Sequence, residues 1–385
     1  MRNSQNRILT THAGRLSPSL REFESVDLKV SKGQAYDQGA YARLLDDAVQ
    51  DVVKHQLEIG IDAISDGELG RRRGFEYYAE LMSGIEKQEL KPGEVGATIF
   101  KTRERETFNE YYAEEDKVRV AVARPTRIVC TGPLKSKSLR VLNEEIARFK
   151  AALARTQSEA FFPVIAPGWL DHFIFNAFYG TDEEFVFALA EVMRPEYQAV
   201  VDAGLILQVD DPGLPDAWPT FFPEPSIEDY RKYARLRVDA LNHALKGIPP
   251  ENVRYHLCWG SWHGPHVDDI PFRHIVDLML AVNAQGYSFE AANVRHEHEW
   301  KIWQHVKLPD GKILIPGAVS HRTTTVEHPE VVADRLLKFA DLVGRENVIG
   351  GTDCGMGMGR VHHQVGWAKL VALVEGAKLA SEQLW

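Results

Sequence analysis

Eight short apolar runs, most ending in a polar residue or glycine, limit the folds open to this chain more than any other feature. They lie at residues 7–14, 63–68, 161–166, 205–210, 253–259, 288–292, 313–319 and 348–353. A strand that is apolar on both faces belongs in a parallel sheet whose two sides are covered. Parallel neighbours need a crossover, usually a helix, and the intervening segments have that period. In 329–344, Val332, Leu336, Phe339 and Val343 share one helical face, while Asp334, Arg335, Lys338 and Asp341 share the other. Pro329 opens this segment and Gly344 closes it, as helix ends favour. Eight such units predict an α/β TIM (β/α)8 barrel, with a doubly wound open sheet as the alternative.

The whole chain, 1–385, reads as one barrel domain. Residues 85–135 interrupt the rhythm with β-rich, charged sequence, including Ala97-Thr98-Ile99-Phe100 and Val118-Arg119-Val120-Ala121-Val122. They are expected to form an insertion of hairpins between the second and third units. A net charge of -10 excludes a nucleic-acid partner and an anionic membrane surface as first expectations. The N-terminal residues lack the apolar core of a signal peptide, and no run is long enough to span a bilayer. Three cysteines do not make a disulfide framework, so a reduced, cytoplasmic, metal-binding chain is expected.

Barrel chemistry sits at the C-terminal ends of strands, and the polar residues collect there. They are His12, Asp66 and Glu68, Asp210 and Asp211, His256 and Cys258, Glu290 and Asn293, His321, then Asp353 and Cys354. His256 and Cys258 are two apart, so on a strand both point to one face and both reach one metal. Cys354 adds a third donor, and Glu290, at an intervening strand end, is the best fourth. Zinc with two thiolates, a carboxylate and a neutral imidazole carries one net negative charge. Such a centre activates water poorly but suits a bound thiol that remains nucleophilic, so S-alkylation is the implied chemistry. A zinc hydrolase is disfavoured on the same ground, and a structural site would favour local Cys-x2-Cys pairs.

His256-Leu257-Cys258, Glu290 and Cys354 resemble the zinc ligands of the cobalamin-independent methionine synthase superfamily. Thr10-Thr11-His12-Ala13-Gly14, Ser65-Asp66-Gly67-Glu68 and Gln208-Val209-Asp210-Asp211-Pro212 are similar to its further motifs, in consistent order along nearly the whole chain. The resemblance implies a zinc-dependent, methyltransferase-like enzyme acting on a small thiol and an alkyl donor. It implies that Glu68 and Asp210 hold the amino acid part of homocysteine, with His12 in the same first-strand motif. Two departures stand out. The full-length synthases carry an additional N-terminal barrel, and their first-strand motif usually continues Gly-Ser where this chain has Gly14-Arg15. Arg15 would suit an anionic group on the thiol, so a ring opening of the epoxyalkane:coenzyme M transferase type is the alternative. A non-catalytic, zinc-stabilised barrel is a further one.

Other polar residues carry competing readings. His321 and His263 are the candidate proton donors, with His266 in the same loop as His263. His296-Glu297-His298-Glu299 reads as a solvated helix start, and Cys130 as a small buried hydrophobe. Arg71-Arg72-Arg73 reads equally as a solvated turn or an anion-capturing loop. The oligomeric state stays open, and a homo-oligomer is compatible with the sequence.

Overall fold

The computed structural model describes residues 1–31, 34–71, 77–78, 81–118, 126–154, 156–357 and 361–385. Eight parallel strands form one sheet: β1 (Leu9–Thr10), β2 (Ala63–Ile64), β5 (Glu159–Ile165), β7 (Ile206–Asp210), β8 (Val253–Leu257), β9 (Gly286–Phe289), β10 (Ile313–Val319) and β11 (Ile349–Thr352). Their spatial order is β1-β11-β10-β9-β8-β7-β5-β2, which is sequence order wrapped into a ring. Side chains help to close the seam between β1 and β2. Asp62 N–H donates to Thr10 O at 3.1 Å, Thr10 N–H donates to Asp62 Oδ2 at 2.9 Å, and Thr11 Oγ1 donates to Ala63 O at 2.9 Å. The fold is therefore a (β/α)8 barrel, and the open-sheet alternative falls. All eight expected strands are present, and the run at 161–166 supplies the third.

The apolar runs are buried as expected: every residue of β8, β9, β10 and β11 is buried. The helix Pro329–Val343 turns Val332, Leu336 and Phe339 inward. His328 caps its first turn and Gly344, at φ 89°, ends it. One charged side chain crosses the barrel interior. Arg254 donates to Thr11 Oγ1 at 2.9 Å and to the His12 carbonyl at 2.8 Å, and stacks on Phe161 at 4.0 Å. It ties the end of β1 to β8 and so fixes where the first-strand motif lies. Among the described residues no helix is long and apolar enough to cross a membrane.

Outside the barrel, β3 (Met82–Glu89) and β4 (Thr126–Ser136) pair antiparallel, and β6 (Ile174–Asn176) adds to β4 in parallel. Between β3 and β4 the chain is helical at Arg103–Thr107 and Asn109–Val118. The expected strand at 97–100 is instead a 3-10 turn, Thr98–Phe100. Residues 119–122 of the other expected strand lie outside the described residues. This segment reaches over the C-terminal ends of the strands. Thr98 N–H donates to His172 O at 2.9 Å, Arg103 Nη1 to Trp218 O at 2.8 Å, Tyr111 Oη to His263 O at 3.0 Å, and Val267 N–H to Glu104 Oε2 at 2.8 Å.

A buried charge cluster braces the second unit. Arg71 pairs with both Asp66 oxygens at 3.0 Å and with Glu145 at 3.3 Å, and lies over the Phe162 ring at 3.8 Å. Neither the solvated turn nor the anion-capturing loop describes Arg71; Arg72 and Arg73 lie outside the described residues. Glu196 is buried near this cluster, and burial, reinforced by the charge of Glu145, pushes its carboxyl up to about 8. The folded state thus keeps a proton that the unfolded chain releases at an ordinary value near 4.5. Between those two values stability falls as pH rises, by at most about 1.4 kcal/mol per pH unit from this group. Glu196→Gln is expected to flatten that decline and to be more stable than wild type at pH 8, as urea unfolding from pH 5 to 9 measures.

Candidate metal centre

β8 carries His256 as its next-to-last residue and ends with Leu257, directly before Cys258, and β11 is followed by Asp353 and Cys354. The two-residue period puts His256 and Cys258 on one face. Across the mouth the Cys354 Sγ lies 3.8 Å from the Cys258 Sγ, too far for a disulfide. The ligand atoms of His256, Cys258 and Cys354 all lie within 4.8 Å of one another, and all three residues are buried. His256 Nδ1 is 3.0 Å from Asp210 Oδ1. A carboxylate at Nδ1 holds the proton there and leaves Nε2 to coordinate.

The electrostatics of this set fit a soft divalent cation. Burial pulls the His256 imidazole down, but the Asp210 hydrogen bond and charge, with Cys354, raise it to about 9. The neighbouring Cys354 thiol, then burial, pushes Cys258 well above its usual range. The Cys258 thiol and the His256 imidazole thus hold protons that a cation would replace, and with Cys354 they give the donor softness zinc prefers.

Glu290 belongs to a second group. Its carboxylate, His321 and Asp353 bring ligand atoms within 4.8 Å of one another. Glu290 accepts from Trp259 N–H at 2.8 Å, from Asn293 Nδ2 at 2.6 Å, and from Arg322 Nε and Nη2 at 3.0–3.1 Å. Asp353 Oδ1 accepts the N–H groups of Ala291 and Ala292 at 2.7 and 2.8 Å. Burial, then the Glu290 charge, raises the Asp353 carboxyl to about 6.

A third polar group lies beside the first. Glu68 adopts φ +56°, a left-handed conformation that side chains rarely take. Its Oε2 is 3.5 Å from Arg15 Nε. Gly14 sits at φ +121°, where a Cβ would be strained and would come 2.8 Å from Pro163 Cγ and 2.6 Å from Glu68 Oε1, so glycine is favoured there. Burial raises the Glu68 carboxyl, Arg15 opposes the rise, and the Asp210 charge adds to it. Gly355, next to Cys354, packs against the Arg15 backbone and Cβ. Arg15, Glu68 and Asp210 therefore converge near the two cysteines.

The remaining candidates are placed differently. His12 turns inward: Nε2 donates to Gln56 Oε1 at 2.7 Å, Nδ1 accepts from Gly14 N–H at 3.1 Å, and burial lowers its pKa to about 3. Its ring is neutral and bonded within the first-strand turn. His263 lies exposed in the loop after β8, outside both ligand groups.

Two features were not readable as functional. Arg322 follows His321 without any motif of its own. The reading of 296–299 as solvated needs correction: His296 and Glu299 are buried, although His298 is exposed. The segment continues as a 3-10 helix, Glu297–Gln304, whose three-residue turn puts positions 296 and 299 on one side. His296 bonds Glu299 at 2.8 Å and Asp269 at 3.0 Å, and Asp269 also takes His266 at 3.0 Å. Trp259, the neighbour of Cys258, stacks on His296 at 4.0 Å.

A (β/α)8 barrel with sulfur and imidazole donors at its mouth is the class that fold and site define. No family model matches the chain. It is 25% identical over 341 residues to a methionine synthase of Sulfolobus acidocaldarius, covering 88% of this chain and 82% of that protein. It is 22% identical over 341 residues to a methionine synthase of Thermococcus kodakarensis, covering 88% and 83%. In three dimensions it matches a B12-independent methionine synthase from Shewanella sp. W3-18-1 in complex with selenomethionine, with a TM-score of 0.71, 18% identity, and coverage of 98% and 99%. The resemblance carried by the motifs thus extends over most of the chain, and the barrel is the same fold.

If the three donors hold zinc, Asp210→Asn is expected to weaken its binding by roughly 10–100-fold, as loss of a carboxylate behind a ligating histidine does. Competition against a chromophoric chelator measures it, and unchanged affinity would count against the assigned Nδ1 partner.

Proposed function

We propose that the chain is a zinc-dependent thiol alkyltransferase that moves a methyl-type group to the sulfur of a small thiol. The observation that carries this reading is the buried group of His256, Cys258 and Cys354, whose ligand atoms lie within 4.8 Å of one another. The similarity to proteins named methionine synthase supports it. Bound there, zinc would supply a lowered thiol pKa without loss of sulfur nucleophilicity. The resemblance offers Glu290 as a further ligand, but its carboxylate groups with His321 and Asp353 and not with the three donors. On this reading the whole chain, 1–385, is one catalytic domain with 85–135 as its insertion, working in the cytoplasm.

The protein's own residues have distinct tasks. Asp210 orients His256 through Nδ1. Glu68 and Asp210 receive an ammonium group, and Arg15, beside Glu68, receives the carboxylate of the same amino acid. Two carboxylates against one arginine favour an amino acid thiol such as homocysteine. A sulfonated thiol of the coenzyme M kind would use Arg15 alone and leave the carboxylates unmatched, so it is the second reading. His321, buried beside Glu290 and Asp353, gives a proton to the leaving atom; His263, on the loop after β8, is the alternative donor.

Cys258→Ser and Cys354→Ser are each expected to lose most bound zinc and most turnover, as metal analysis and a thiol-alkylation assay measure. Either variant with full zinc and full activity would sink the assignment. Zinc-edge X-ray absorption with homocysteine or coenzyme M added singly is expected to gain one sulfur ligand with the true acceptor. Zinc removal is expected to leave a folded, inactive barrel, because the core is extensive without it. A chelator-treated protein that unfolds at once would favour the non-catalytic, zinc-stabilised barrel.

A further inference from the structure

The Glu290 carboxylate is saturated by protein donors. An ionised carboxylate offers about four lone-pair sites. Trp259 N–H, Asn293 Nδ2, and the Nε and Nη2 of Arg322 occupy them at 2.6–3.1 Å. Its side chain is wholly buried, so water does not compete. To ligate a metal, Glu290 must give up at least one of these bonds.

Arg322 is itself fixed. Its Nη2 donates to Gly260 O at 2.8 Å, its Nη1 to Trp262 O at 3.0 Å, and Nη1 also meets His266 Nε2. Those partners lie in the loop that leaves Cys258, so one guanidinium clamps Glu290 to the loop next to the sulfur donors. Removing the guanidinium would strand a buried carboxylate beside the sulfur donors, and a cation bound there would compensate it.

We propose that Arg322 is a positioning residue that withholds Glu290 from the metal. The protein then offers three ligands, His256, Cys258 and Cys354, and leaves the fourth position to the thiol. This rests on the zinc reading of those three residues. Two thiolates and a neutral imidazole balance a divalent ion, so the negative charge that Glu290 would add is left for the incoming thiolate to bring. In this account the Glu290 charge is spent on Arg322.

Zinc affinity by chelator competition, together with zinc-edge X-ray absorption, tests this on the full chain. Glu290→Gln is expected to bind zinc within about threefold of wild type, well below the roughly 10–100-fold loss seen when even an outer partner of a ligand is removed. Arg322→Met is expected to bind zinc about tenfold more tightly with one more oxygen ligand, and the double variant to return to within about threefold of wild type. If Arg322→Met does not fold, Arg322→Lys keeps the charge without the two-pronged grip and shifts affinity the same way by less. A loss of about tenfold or more in Glu290→Gln, or unchanged affinity and oxygen count in the folded Arg322 variant, overturns the proposal. Cys258→Ser separates the two ideas. Full zinc in that variant removes the zinc-site reading itself. Zinc loss there, together with zinc loss in Glu290→Gln, leaves the site standing and removes only the role of Arg322.

Discussion

The mouth of the barrel depends on the carboxylate of Asp353. It accepts the N–H groups of Ala291 and Ala292, which would otherwise be buried without partners where the chain leaves β9. It sits beside Cys354 in sequence, so one side chain locks the turn carrying Glu290 to the turn carrying the second sulfur. β10 must yield for this to happen. A Cβ on Gly317 would lie 2.1 Å from Asp353 Oδ1, so the strand between the two turns has no side chain there. The turns after β9 and β11 share one hydrogen-bonding group, and β10 between them leaves room for it.

Around that joint the barrel concentrates negative charge. Glu68, Asp210, Glu290 and Asp353 stand near two cysteines; Arg15 touches Glu68, Arg322 touches Glu290, and His256 touches Asp210. The two arginines divide the work by position. Arg15 lies beside Glu68 against Gly355, whereas Arg322 lies behind Glu290 and is anchored by carbonyls. A mouth with excess acid and buried thiols is costly when empty of cations and well matched to one. Its polarity therefore favours a metal and a substrate that brings positive charge with it.

Much of this was legible in the sequence for a plain reason: period. Buried parallel strands write continuous apolar runs, so 313–319 and 253–259 declared themselves, and the two-residue repeat placed His256 beside Cys258 on one face. What was hidden depends on contacts distant in sequence. Arg322 gains its role from carbonyls about 60 residues away along the chain, and β6 pairs with a strand outside the barrel. His296 and Glu299 misled for a local reason: three positions apart, they share the buried side of the turn, while His298 between them faces out. The insertion misled because short alternating stretches such as 97–100 fit either a strand or a turn.

The insertion has one more consequence. Tyr111 and Glu104 hold the loop at 263–267, the same loop whose earlier residues anchor Arg322. The shape of the catalytic mouth is thus inherited partly from a segment that is not part of the barrel. Relatives that keep every strand but carry a different excursion at this point would present a differently bounded vestibule. The breadth of electrophile admitted could then diverge between lineages while the residues that handle sulfur stay the same.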